Sequence, residues 1–98
     1  MSKREQARVL AVQALYQWDL RSDDFADHVS DFLAESTQDS EVYFFARELT
    51  LGAWNARENA DRIIHEAAVH WEVSRMAAVD RNILRLAIFE LSERFDIP

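Results

Sequence analysis

The chain has 98 residues, a formal net charge of −7, no cysteine, one glycine and one proline. That length holds one domain with a small core. The absence of cysteine excludes disulfides and thiolate chemistry. No stretch approaches the ~18 consecutive apolar residues of a membrane span. The N-terminus runs from charged residues straight into an amphipathic pattern, with no apolar signal region or small-residue cleavage site. A soluble, cytoplasmic protein is predicted. With Gly52 and Pro98 as the only strong breakers, strands and tight hairpins have little support and helices dominate.

The first helix is predicted from about Lys3 to Leu20. Ser2 and Glu5 fit a capping box, in which the Ser side chain accepts from the N3 amide and the Glu reaches back. Ala7, Leu10, Ala11, Ala14, Leu15 and Trp18 recur at the spacing of one helical face. Lys3, Arg4 and Arg8 project from the first two turns, where the helix dipole slightly disfavours cations. Residues 1–21 carry a net +2, which leaves −9 on the remaining 77 residues. A basic tip on an acidic protein points to an anionic partner at one end. Bulk electrostatics would repel nucleic acid, so such binding needs a local patch and a basic partner.

Arg21-Ser22-Asp23-Asp24 breaks the pattern, with Ser22 or an Asp as the next N-cap. A second helix spans about Phe25 to Glu35 and buries Phe25, Val29, Phe32 and Leu33. After the polar connector 36–40, a long helical stretch runs from about Glu41 to His70. Its stripe is Phe45, Leu49, Gly52, Ala56, Ala60, Ile63, Ile64, Ala67 and Trp71. Gly52 costs about 1 kcal/mol relative to Ala inside a helix, which implies close packing or a bend there. Asn59 and Asp61 mark a second break. Ser74 caps a short turn that includes Met76. Asp80 caps a last helix from about Arg81 to Arg94, which is apolar on nearly every side and therefore buried on most of them. The fold class is all-α, a bundle of about five helices. The chain reads as a single domain, 1–98, with an N-terminal lobe at 1–70 and a partial second lobe at 71–98.

No catalytic constellation emerges. His65 and His70 flank a sequence close to the zinc motif H-E-x-x-H. Their i, i+5 spacing turns the second imidazole ~140° away from the first, and Val69 occupies the i+4 position. One glycine cannot build a phosphate-cradling loop. The carboxylates fit helix starts and solvated faces, so neither an enzyme nor a cofactor is predicted. Trp18, Trp54 and Trp71 fall on or beside apolar stripes, as core and helix-junction residues do. Tyr16 lies on another face of the first helix, with Gln13 one turn away and Arg8 near the same side. An aromatic beside amide and guanidinium groups suits stacking on an unpaired base; a tyrosine packed on the second helix fits the spacing slightly better.

With these elements placed, ARVLAVQALYQWDL resembles the first helix of the NusB family of bacterial antitermination factors. Tyr43-Phe44, followed by Glu48-Leu49 and Gly52, is similar to a middle helix of that family. The segment VDRNILRLAIFEL at 79–91, with Ile97-Pro98 after it, resembles the family's most recognisable stretch. The resemblance covers the whole chain in order. It implies a two-lobed helical fold of about seven helices that binds boxA-type RNA together with ribosomal protein S10 (NusE) and joins an antitermination complex on RNA polymerase. The RNA-binding role carries over to Lys3, Arg4, Arg8, Gln13 and Tyr16. A partner-binding role carries over to Asp80 and Glu90.

Two departures shape the expectations. Glu5 and Gln6 stand where the family often has arginines, and each lost phosphate contact removes nearly one unit from the salt slope of binding. The family also continues beyond the position of Pro98 with an I-N-E-A helix and a final helix. Without them, a face of the last helix bearing some of Ile83, Leu86, Phe89 and Leu91 is predicted to be exposed. Another copy of the chain would cover it in a homo-oligomer, or the N-terminal lobe would rotate over it. Two other functional readings stay open: an accessory RNA-binding domain of a ribosomal RNA methyltransferase, and a protein-interaction module whose RNA site has decayed.

Overall fold

A computed structural model of the chain describes residues 1–68 and 72–94. Val69, His70, Trp71 and the end that carries Ile97-Pro98 lie outside the described residues. Helix α1 (Lys3–Arg21) begins where the Ser2 hydroxyl accepts from the Glu5 backbone N–H at 3.1 Å. The Glu5 carboxylate accepts from the Ser2 hydroxyl at 3.2 Å, so the reciprocal arm of the predicted box runs side chain to side chain. The buried face is Ala7, Ala11, Ala14, Leu15 and Trp18, with Leu10 half-buried at its edge.

The predicted second helix is two. Helix α2 (Asp23–Ala26) closes with a tight bond from the His28 N–H to the Phe25 carbonyl, 2.9 Å. Helix α3 (Val29–Ser36) then restarts the pattern. Asp27 and His28 sit at the joint, where short polar side chains favour turns over helix interiors. Phe25, Val29 and Leu33 still reach the core, and Phe25 meets Phe32 edge-to-face at 5.7 Å.

Helix α4 (Ser40–Asn55) is capped by Asp39, whose Oδ1 accepts from the Glu41 and Val42 amides at 2.9 and 3.2 Å. The break in the long predicted stretch falls at Ala56, between the two expected positions, and helix α5 (Arg57–Ala67) follows. Trp54, just before the break, lies flat on Trp18 with centroids 4.3 Å apart. The Arg57 guanidinium covers the Trp54 ring at 4.0 Å and donates to the Trp54 carbonyl at 2.8 Å. This aromatic sandwich ties the turn to α1.

A 3₁₀ turn (Val73–Arg75) precedes helix α6 (Ala78–Arg94). The predicted cap at Asp80 is corrected: α6 starts earlier, and Asp80 sits in its first turn, where a carboxylate favours the helix dipole. Helix α6 packs on both α1 and α4. Gly52 does mark close packing. A Cβ there would lie 2.6 and 2.7 Å from Cε1 and Cε2 of Phe89, and nearer still to Cζ.

The last helix is buried on one side only. Leu86 is 4% exposed and Phe89 packs against the core. Val79, Ile83 and Leu91 are 44%, 47% and 69% exposed; with Ala87 they form an i, i+4, i+8, i+12 ridge. Among the described residues, no helix is long and apolar enough to cross a membrane.

Candidate nucleic-acid interface

The basic residues of α1 reach three different surroundings. Lys3 extends to the start of α4, with Nζ 3.2 Å from Asp39 Oδ2 and 3.3 Å from Glu41 Oε1. Hydrogen bonds to Asp39 and then Glu41 raise the Lys3 pKa. Arg4 is exposed, with its Cζ 5.4 Å from the Phe45 ring centroid. Arg8 turns the other way and clasps Glu90 of α6: Nε lies 3.0 and 3.1 Å from the two carboxylate oxygens, and Nη2 lies 3.0 Å from Oε2. Gln13 is exposed and Tyr16 half-buried. With Val9 and Leu20 they recur at i, i+4, i+7, i+11 on the outward side of α1.

The expected single face of Lys3, Arg4, Arg8 and Tyr16 is therefore corrected. The first two turns of α1 fan out, because Asp39 and Glu41 draw Lys3 towards α4 while Glu90 draws Arg8 towards α6. Exposed ion pairs such as Lys3–Glu41 are worth about 0–1 kcal/mol, so a phosphate can compete for the ammonium. The Arg8 pair is stronger in geometry, being two-pronged and partly shielded. Asp80 is exposed on α6, while Glu90 is engaged by Arg8 and mostly covered.

A second polar cluster, which hydropathy periodicity does not mark, lies at the other end of α1. Asp19 Oδ2 accepts from Arg81 Nε at 2.8 Å, Asn82 Nδ2 at 3.0 Å and Arg85 Nη1 at 3.3 Å. Arg85 also makes a two-pronged pair with Asp61, 2.7 Å for each prong. Arg81 Nη1 donates to the carbonyls of Val73 and Met76, both at 3.1 Å. One knot thus fastens α1, α5, the 3₁₀ turn and α6 beside an open depression of about 470 Å³. Burial pushes the Asp19 carboxyl up, but hydrogen bonds from Arg81 and Asn82, with the charges of Arg85 and Arg81, outweigh it and hold the pKa below the usual value. Among the described residues, no buried side-chain polar atom lacks a partner. These guanidinium groups are occupied, so the cluster is a structural clasp rather than an anion site. The signal was in the sequence: Arg81, Asn82 and Arg85 share a face of α6 with the apolar Leu86 and Phe89.

Elsewhere, His28 and His65 are exposed. Among the described residues, no group of His, Asp and Glu could hold a metal ion.

The model of the NusB family matches residues 5–98. This chain belongs to the NusB family. It is 43% identical over 106 aligned positions to the transcription antitermination protein NusB of Symbiobacterium thermophilum, covering all of this chain and 69% of that protein. The protein of the same name from Myxococcus xanthus is 36% identical over 102 positions, with coverage of 100% and 73%. A solved chain described as "Crystal Structure of a Plectonemic RNA Supercoil" superposes with a TM-score of 0.81 at 33% identity, covering 93% of this chain and 67% of that one. The helical order and the α1–α4–α6 packing are thus those of a NusB-type fold, and the family is a non-enzymatic one of antitermination factors.

Proposed function

We propose that this chain is a transcription antitermination factor that binds boxA-type RNA together with ribosomal protein S10, as part of a complex on RNA polymerase in the cytoplasm. Family membership over nearly the whole chain carries the antitermination reading. The exposed Arg4 and the surface-paired Lys3 at the tip of α1 support the RNA reading, because a phosphate can compete for an exposed ion pair of this kind. In this reading Lys3 and Arg4 meet phosphates, Gln13 and Tyr16 meet an unstacked base, and Arg8 orients the tip through Glu90 while its partly exposed guanidinium flanks the RNA. Asp80 and the α6 surface around Glu90 contact S10, whose cations complement this acidic chain.

The test is a titration of a boxA-type oligonucleotide against a scrambled one, at fixed salt, with and without S10. With two or three phosphate contacts, the logarithmic salt slope of the chain alone should be about −1.4 to −2. S10 should tighten binding to boxA more than to the scramble, and Arg4→Glu should weaken it. No enhancement by S10 would refute the reading. S10 binding that leaves RNA affinity untouched would instead identify a protein-interaction module.

A further inference from the structure

Asp80 is exposed in the first turn of α6. Val79 and Ile83, its neighbours at i−1 and i+3, are open as well, so an acid stands beside two aliphatic side chains. The next residue turns inward: the Arg81 side chain is 14% exposed. Its Nε and Nη2 lie 2.8 and 2.7 Å from Asp19 Oδ2, and its Nη1 donates to the carbonyls of Val73 and Met76. One guanidinium thus ties the end of α1, the 3₁₀ turn and the start of α6. No residue of that turn, Val73–Arg75, is buried, so apolar burial does not hold it; hydrogen bonds from a charged donor do. Asn82 completes the frame, its Nδ2 donating to the Ala78 carbonyl at 2.8 Å and to Asp19.

The geometry points to Arg81 as a positioning residue for the partner surface. It holds the 3₁₀ turn against the start of α6, and so sets the shape of the corner from which Val79, Asp80 and Ile83 meet S10. Arg81 acts from beneath that corner, through the turn and through its neighbour Asp80. The inference rests on the assignment of Asp80 to the S10 surface.

The number and spread of the acceptors require an arginine here. A planar guanidinium sends donors in fixed directions to a carboxylate and two carbonyls at once, which a single ammonium cannot do. Arg81→Lys keeps a charge for Asp19 but cannot reach both carbonyls as well, so it separates the ion pair from the hold on the turn. A surface ordered before binding avoids the entropy loss of ordering it on contact. A loosened corner therefore binds more weakly although every contacting side chain is still present.

The test titrates the wild type, Arg81→Lys and Asp80→Asn with S10 and, without S10, with a boxA-type oligonucleotide at the same salt. Amide signals of ¹⁵N-labelled protein are followed throughout. Arg81→Lys should weaken S10 binding by about fivefold or more, leave the RNA affinity of the chain alone unchanged, and move amide signals only around residues 72–83. Asp80→Asn should weaken S10 binding too. Full S10 affinity in Arg81→Lys beside a loss in Asp80→Asn would overturn the positioning role and leave the S10 surface as read. Full affinity in both variants would overturn the surface reading, and this proposal with it. A parallel loss of S10 and RNA affinity, with shifts across the whole spectrum, would make Arg81 merely structural. If Arg81→Lys does not fold, the wild type decides: adding S10 should shift the amides of Val73–Arg75 along with that of Asp80, and a turn that stays still would overturn the proposal.

Discussion

Arg8 and Glu90, 82 residues apart in sequence, form a two-pronged ion pair that pins the start of α1 to the last turns of α6. At the other end of α1, Asp19 holds Arg81, Asn82 and Arg85. The two helices therefore run antiparallel and are clasped at both ends. Charge-assisted hydrogen bonds contribute about 1.5–3 kcal/mol net when shielded, and exposed pairs less than about 1. At the intermediate exposure of this pair, Arg8→Ala should cost about 1 kcal/mol in urea unfolding. Arg8→Glu should cost more, because it sets two carboxylates face to face. The swap Arg8→Glu/Glu90→Arg should recover most of that loss. RNA affinity in the swap then separates a positioning role from direct contact: it recovers with stability if Arg8 acts only through Glu90.

The Asp19 knot should be the costlier one to cut. Asp19→Ala leaves two shielded guanidinium groups and the buried Asn82 amide short of an acceptor, a change worth about 3–5 kcal/mol in comparable settings. For a domain of ordinary stability that is a large share of the total. Chemical unfolding of Asp19→Ala with a loss below about 1 kcal/mol would show that water replaces the carboxylate.

The same residue sets part of the acid response. The folded pKa of Asp19 is depressed, so its contribution is fully present above the unfolded value of about 3.9. It is lost as pH falls through the lower folded pKa. Stability measured between pH 7 and pH 2 should therefore hold above about pH 4 and decline below it. In Asp19→Asn the curve should start lower at neutral pH and fall less steeply in acid.

Gly52 is required by Phe89. Gly52→Ala adds a methyl group where the ring already stands, and overpacking of this kind costs about 1–3 kcal/mol despite the gain in helix propensity. Adding Phe89→Leu opens that space, so the double variant should be more stable than the sum of the two single changes. Additive losses would mean that the ring moves aside freely.

Ser22 has φ 56° and ψ −135°, and its side chain makes no capping bond. Non-glycine residues in such backbone positions store about 1–3 kcal/mol, partly offset by the entropy that glycine loses on folding. Ser22→Gly should raise stability by about 1 kcal/mol, read as a rise in the midpoint of thermal unfolding.

The ridge of Val79, Ile83, Ala87 and Leu91 tests the expected homo-oligomer. Four partly exposed side chains offer much less than the ~800 Å² per partner of a stable interface. Sedimentation should show monomer at low micromolar concentration and weak self-association above it, suppressed by Ile83→Lys/Leu91→Lys. A monomer at every concentration would exclude association through this face.

The sequence by itself left Gly52 open between close packing and a bend, which Phe89 decides; it determined the all-α class, the α1 stripe, the capping serine and the family. Each rests on local information: periodicity within one helix, a side chain reaching its own backbone, the scarcity of breakers, or an ordered string of residues. The tertiary structure decided where the cations go. Periodicity places Lys3, Arg4 and Arg8 on the first turns of α1, but their directions depend on carboxylates up to 82 residues away. It also decided that Arg81, Asn82 and Arg85 lie inside, since hydropathy assigns charges to solvent while a buried charge is tolerated only beside its counter-charge. The α6 face divided the same way: apolar residues all round the helix indicated burial on most sides, but a neighbour had to exist on each side to bury it. α1 and α4 cover Leu86 and Phe89, and Val79, Ile83 and Leu91 stay open because no described helix reaches them.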